Sequence, residues 1–280
     1  MTKFRKSKKE ITSSSQENAV SKIDTQFLTT TNEKNEAEIS PFSVVGQDER
    51  LMITDTTVGP YCNTVRLEIG LKNGGTAYGS GFVIGERYVA TAGHCLYTPE
   101  SYTDNPSEAG WITSLKVIPA QNGSTKPYGT YNGIWYQVGG NFASKGTSDD
   151  DWGVIKVDGD IGKRTGWLGM SANWGSNGDM VYNTGYPGQA LNKNDGTHMY
   201  RGDGIVRDVT QRTIKGDWDS SGGNSGGPIY YFSDQYGYCA VGILRGGSTT
   251  KGANYPTSYS DGTHIDSWLF DHLTSFRTAE

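Results

Sequence analysis

Short apolar runs separated by glycine-rich turns cover most of this chain, and few of them repeat at a helical step. Thr64-Val65-Arg66-Leu67-Glu68-Ile69 alternates apolar and polar side chains, the period of a strand with one buried face. Lys72-Asn73-Gly74-Gly75 follows, and its glycines supply the positive φ of a tight reversal, so a hairpin is expected here. Further strands are predicted at Ser80 to Ile84, Tyr88 to Thr91, Gly153 to Val157, Met180 to Thr184 and Cys239 to Leu244. Only the end of the chain changes period. Ile265, Trp268, Leu269, His272, Leu273 and Phe276 recur at three- and four-residue steps and predict a C-terminal helix lying on the strands.

Residues 1–42 break this pattern. They contain no Gly, Trp, Tyr or Cys and are dominated by Lys, Ser, Thr, Asn and Glu. Such a stretch buries too little apolar surface to offset its ordering entropy, so it is read as a disordered pro-segment or linker, the former preferred because the composition changes abruptly near Pro41, with 43–280 as the folded unit. No repeat of about 20 to 50 residues points to a solenoid or propeller. The expected fold is all-β, a double Greek-key β-barrel with a C-terminal α-helix.

Composition narrows the function. Of 280 residues, 39 are glycine, 17 tyrosine and 7 tryptophan, which suits short strands and tight turns. The net charge of −5 offers no basic field for phosphate backbones, so no nucleic-acid partner is expected. Mean hydropathy is −0.59, and no run approaches the roughly 18 apolar residues of a membrane span. The opening Met1 to Lys9 carries the charge of a signal-peptide n-region without an apolar stretch behind it, so either export uses another route or a leader has been removed. Three cysteines, Cys62, Cys95 and Cys239, allow at most one internal disulfide.

Three segments carry candidate chemistry. Ser225 stands in Gly222-Gly223-Asn224-Ser225-Gly226-Gly227-Pro228, where flanking glycines let the backbone turn sharply and bring the Gly223 and Ser225 N–H groups to one point, as an oxyanion hole requires. His94, in Thr91-Ala92-Gly93-His94-Cys95, ends an apolar strand and is the candidate base. His272 on the predicted helix and His198 in a polar loop read instead as solvated. Asp151, last of Asp149-Asp150-Asp151, abuts the apolar strand from Trp152 and is the candidate orienting carboxylate; Asp149 and Asp150 are expected to face solvent. No metal site is expected, because no His-Glu-x-x-His or Cys/His cluster appears, and Gly74-Gly75 and Gly139-Gly140 read as turn glycines rather than phosphate cradles. No cofactor is expected.

Together these motifs resemble the trypsin-like serine proteases, and more closely the bacterial glutamyl endopeptidase (V8 protease-like) group. Supporting matches are Val45 to Arg50 with Thr54 to Thr57, Gly185-Tyr186-Pro187-Gly188, and Gly262-Thr263-His264-Ile265. The resemblance implies a secreted, monomeric zymogen, cut near Ser43 or Val44, that hydrolyses protein or peptide substrates through a Ser225-His94-Asp151 triad and an acyl-enzyme. Animal relatives pair the new N-terminal amine with an acid just before the nucleophile, but Asn224 stands there and cannot form an ion pair. Members specific for glutamate carry a pocket histidine where this chain has Leu244, and a carboxylate beside leucine costs several kcal/mol, roughly. Ser220 matches a hydroxyl residue that lines the pocket, and His264 or Arg245 is expected to supply the missing positive charge, so that Glu or Asp is preferred before the cut. Cys95 follows the base as in relatives where it is bridged, but Gly79 replaces the partner; Cys62 is the substitute candidate, and Cys239 reads as a buried free thiol. The alternatives are an exfoliative-toxin-like or Spl-like protease of narrow, non-acidic specificity, and a non-catalytic binding or adhesion protein on the same fold.

Overall fold

The computed structural model describes residue 44 and residues 47–191, 193–248 and 259–278, so the reading of 1–42 as a pro-segment lies outside the described residues. Six strands form a closed first barrel: β1 (Thr64–Gly70), β2 (Thr76–Val83), β3 (Tyr88–Thr91), β4 (Ser114–Pro119), β5 (Tyr131–Val138) and β6 (Gly153–Val157), in the ring order β1-β2-β3-β6-β5-β4. Thr64 pairs with Phe82 and Gly70 with Thr76, so the predicted hairpin reverses at the predicted turn. Val65, Leu67 and Ile69 point into the barrel beside Phe82, Val117 and Val154. The alternate residue Arg66 is also buried, because its guanidinium reaches the Gly196 carbonyl and Glu68 and lies over the Tyr78 ring.

The second barrel is built from β7 (Met180–Gly185), β8 (Tyr200–Val209), β9 (Thr213–Gly216), β10 (Pro228–Ser233), β11 (Gly237–Ser248) and β12 (Tyr259–His264). Their order is β8-β7-β10-β11-β12-β9, and β8 pairs back with β9 to close the circuit. Val181, Val206, Ile214, Trp218, Ile229, Val241 and Leu244 fill it. The Leu51–Met52 segment adds an edge to β8, through Leu51 opposite Arg201. The expected pair of antiparallel barrels is therefore present.

Among the described residues, three α-helices accompany the barrels: α1 (Gly140–Lys145), α2 (Ile161–Thr165) and α3 (Ser267–Ser275). The first two are too short to show a three-four period, and Gly140 opens α1 instead of forming the turn expected of it. The expected C-terminal helix is α3. Asp266 caps it by accepting the Leu269 N–H at 2.8 Å, satisfying a donor that the first turn leaves open. Leu269, Leu273 and Phe276 pack into the first barrel's core, where each buried side chain contributes about 1.5–3 kcal/mol. Phe276 meets Tyr88 at 5.0 Å, and Arg277 donates to the carbonyls of Ile84 and Leu168. His272, expected to be solvated, is instead stacked on Trp268 at 5.2 Å and edge-on to Trp152 at 5.0 Å, and burial pulls its pKa below the ordinary value. The helix face that seats Leu269 and Leu273 carries this ring inward as well.

Candidate active site

His94 lies in a single 3-10 turn, Gly93–Cys95, directly after β3. Asp151 ends the 3-10 turn Ser148–Asp150, directly before β6. Pairing of β3 with β6, Thr91 opposite Gly153, places these two turns side by side. Gly93 permits the close approach, because a side chain there would sit about 3.0 Å from both Asp151 Oδ1 and the Trp152 carbonyl. The His94 backbone N–H then donates to Asp151 Oδ1 at 2.8 Å, and His94 Nδ1 lies 2.7 Å from Oδ2. Both residues are buried. Burial disfavours either charge, but each partner outweighs it, holding the His94 pKa well above its ordinary value and that of Asp151 below.

The neighbouring acids are tied down too. Asp150 accepts from the Trp152 indole at 2.7 Å and the Asn141 N–H at 2.9 Å, while Asp149, the more exposed, accepts from the Thr213 hydroxyl at 3.0 Å. The Thr263 hydroxyl, on β12, donates to the Asp151 carbonyl at 3.0 Å and so anchors this turn to the second barrel.

Ser225 sits in the loop before β10. Gly223 and Gly226 have φ of +98° and +86°, a region where only glycine is unstrained. The Cys95 thiol faces the Ser225 carbonyl at 3.6 Å, and a side chain at Gly226 would meet Ala92 N at 2.9 Å, so this loop lies directly against the turn that carries His94. The Ser225 hydroxyl is turned to the Arg245 carbonyl at 3.1 Å. Asn224 N–H bonds to Ser221 O, Gly226 N–H to Leu244 O, and Gly227 N–H to Asn224 O. The N–H groups of Gly223 and Ser225 have no acceptor among the described residues, the condition for receiving an oxyanion. Asn224 forms no ion pair, and both its amide atoms are buried without a hydrogen-bond partner among the described residues.

The residues read as pocket-lining are placed as follows. Ser220 Oγ lies 2.8 Å from Ser260 Oγ, and Ser260 gives its one proton to the Trp218 carbonyl at 2.7 Å. Ser220 is therefore the donor of that pair and keeps only lone pairs to offer. Leu244 belongs to the second barrel's core. Arg245 is buried, its guanidinium bonded to Asp261 and the Ser148 carbonyl. His264 is also buried, with Nδ1 2.8 Å from the Thr210 carbonyl and Nε2 2.8 Å from the Trp174 carbonyl.

Sequence reasoning passed over two groups that hold the loop. Ser80 donates to the Gly223 carbonyl at 2.7 Å. Arg50, paired with Asp48, donates to Ser221 Oγ at 2.7 Å, and the Glu49 N–H meets Asp219 Oδ2 at 3.0 Å. All three cysteines are buried and free; Cys62 faces the Thr165 carbonyl at 3.4 Å, not Cys95.

A family model described as Trypsin matches residues 59–269. An extracellular metalloprotease of Bacillus subtilis is 32% identical over 243 residues, covering 86% of this chain and 72% of that protein. A glutamyl endopeptidase of Bacillus licheniformis is 32% identical over 251 residues, covering 88% and 74%. Among solved structures, a Glu endopeptidase superposes with TM-score 0.68 at 21% identity, covering 84% of this chain and 100% of that one. The protease Anisep from Arthrobacter nicotinovorans gives 0.63 at 18% identity, covering 82% and 100%. The Bacillus subtilis relative is named a metalloprotease; among the described residues of this chain, no three His, Cys, Asp or Glu side chains are grouped to hold a metal.

Proposed function

This chain belongs to the trypsin family of serine endopeptidases, and from that premise we propose that Ser225 is its nucleophile, His94 its base and Asp151 the group that orients and charges the base. His94 takes the Ser225 proton as Oγ attacks the scissile carbonyl, and the Gly223 and Ser225 N–H groups receive the oxyanion. His94 then protonates the leaving amine, and water releases the acyl-enzyme by the reverse route. The observation that carries this reading is the two-point grip of Asp151 on His94, beside a loop whose two N–H groups are left open. Residues 1–42 act as a pro-segment, and the chain works outside the cell, as its Bacillus subtilis relative is named to do.

For the residue before the cut, we propose a preference other than glutamate or aspartate. Among the described residues, the two side chains expected to meet a carboxylate are already engaged, Arg245 by Asp261 and the Ser148 carbonyl, His264 by two carbonyls. Ser220 offers lone pairs, which repel a carboxylate. The glutamyl endopeptidase relative favours the acidic reading, and one experiment separates the two. A serine-directed phosphonate should label Ser225 in wild type and nothing in Ser225→Ala, and a peptide library should then yield cleavage sites without acidic enrichment. Absent labelling leaves a non-catalytic binding protein; strong Glu or Asp enrichment restores the acidic reading.

A further inference from the structure

We propose that Ser80 is a positioning residue that locks the two oxyanion donors in register, an assignment that rests on the serine peptidase reading above. Ser80 stands on β2, fully buried, and every polar atom it owns faces the loop or the strand beneath it. Its N–H donates to the Ser225 carbonyl at 2.7 Å, and its carbonyl accepts the Thr91 hydroxyl at 2.7 Å. Its hydroxyl donates to the Gly223 carbonyl at 2.7 Å and accepts the Tyr186 N–H at 2.9 Å.

The loop's carbonyls show why the hydroxyl matters. Those of Ser221, Gly222, Asn224 and Ser225 are held by backbone N–H groups of Asn224, Gly188, Gly227 and Ser80. The Gly223 carbonyl is held by a side chain, Ser80. That carbonyl belongs to the peptide plane joining Gly223 to Asn224, which lies between the two open N–H groups. Its other polar group, the Asn224 N–H, is tied only within the loop, to the Ser221 carbonyl, so the Ser80 hydroxyl is the tie that anchors the plane to the barrel, and Gly223, at φ +98°, adds no side chain to resist its rotation. Fixing its carbonyl fixes the angle between the two donors, and preorganised donors are what stabilise an oxyanion.

The test compares Ser80→Ala with wild type, using a good peptide substrate, a peptide boronate that forms a tetrahedral adduct on Ser225, and the matching uncleavable peptide. Loss of one oxyanion donor typically costs about 100- to 1,000-fold in kcat, and loosening a pair should cost about 10- to 100-fold. Ser80→Ala is expected to lose that factor in kcat and in boronate affinity. KM, affinity for the uncleavable peptide and the pH dependence of kcat/KM should stay within about twofold. Ser80→Cys, which keeps a similar shape and a weak donor, should recover part of the loss. Equal losses for boronate and uncleavable peptide, an unchanged kcat, or failure of both variants to fold would overturn the assignment. Failure of the peptidase reading itself is separate, because wild type would then neither cleave peptide nor take up the boronate.

Discussion

Asp151 holds His94 at two points, one carboxylate oxygen on the backbone N–H at 2.8 Å and the other on Nδ1 at 2.7 Å. The first contact fixes where the residue sits and the second fixes its ring, so Nδ1 carries the proton and Nε2 is the basic nitrogen. Because Asp151 keeps the imidazolium favourable despite burial, His94 stays charged well above its ordinary 6.5. Only the neutral ring accepts a proton, so kcat/KM should rise with pH along a limb lying above 6.5. In Asp151→Asn that limb should move down while kcat falls by about 10⁴-fold, as a pH-rate profile of each would show.

The same pair has a signature in stability. A raised histidine pKa stabilises the fold fully below the unfolded value of 6.5 and is lost as pH climbs through the folded value. A lowered aspartate pKa stabilises fully above 3.8 and is lost as pH falls through the folded value. Urea titrations should therefore find the gap between wild type and Asp151→Asn widest between pH 3.8 and 6.5, shrinking to either side.

Gly79 faces Cys95 in a geometry that suits a bridge. A Cβ at Gly79 would lie 3.0 Å from Cys95 Sγ, which is the span a half-cystine Cβ keeps from the far sulfur across an S–S bond of about 2.05 Å. The variant Gly79→Cys should therefore oxidise onto Cys95, and thiol titration should find two fewer free thiols than in the same variant after reduction. Its unfolding free energy in urea should show a reductant-sensitive gain of about 2–4 kcal/mol.

Arg50 binds the segment before the first barrel to the loop that leads to Ser225, through Ser221 Oγ at 2.7 Å. Ser221 passes the contact on by donating to the Gln189 carbonyl at 2.6 Å. Arg50→Met removes a charged hydrogen bond worth about 1.5–3 kcal/mol, so its stability in urea should fall by that amount and its KM should rise, with Arg50→Lys intermediate.

Arg245→Met should be the more damaging change. It leaves Asp261, whose carboxyl burial already pushes above the ordinary range, without its guanidinium, and frees the Ser148 carbonyl in the turn that carries Asp151. Breaking a buried pair from one side costs about 3–5 kcal/mol, measurable as a lowered thermal midpoint at neutral pH. The deficit should narrow on acidification, because a protonated Asp261 no longer buries a charge.

What could be read from the sequence divides by range. The segments around His94, Asp151 and Ser225 were legible because each needs its special residues side by side: a glycine before the histidine, an apolar strand after the aspartate, glycines on both sides of the serine. The α3 helix was legible from period alone, and the hairpin from period and the turn glycines that follow it. Ser80 and Gly223 are 143 residues apart, and Arg50 and Ser221 are 171 apart. Nothing local marks either pair, since a serine in a strand and an arginine after an acidic pair are ordinary residues. The burial of Arg245 and His264 escaped for the same reason: their partners Asp261, Ser148, Thr210 and Trp174 come together only when the barrels close.

The seating of α3 and its exit residues on the first barrel sets an order of assembly. Leu273, Phe276 and Arg277 plug a flank formed by strands some two hundred residues upstream, Arg277 and Ile84 being 193 apart. A ribosome makes that plug after every strand it seals. The turn bearing His94 is thus made long before the side chains that close the flank of its barrel, so that barrel is finished only once the second has been made too.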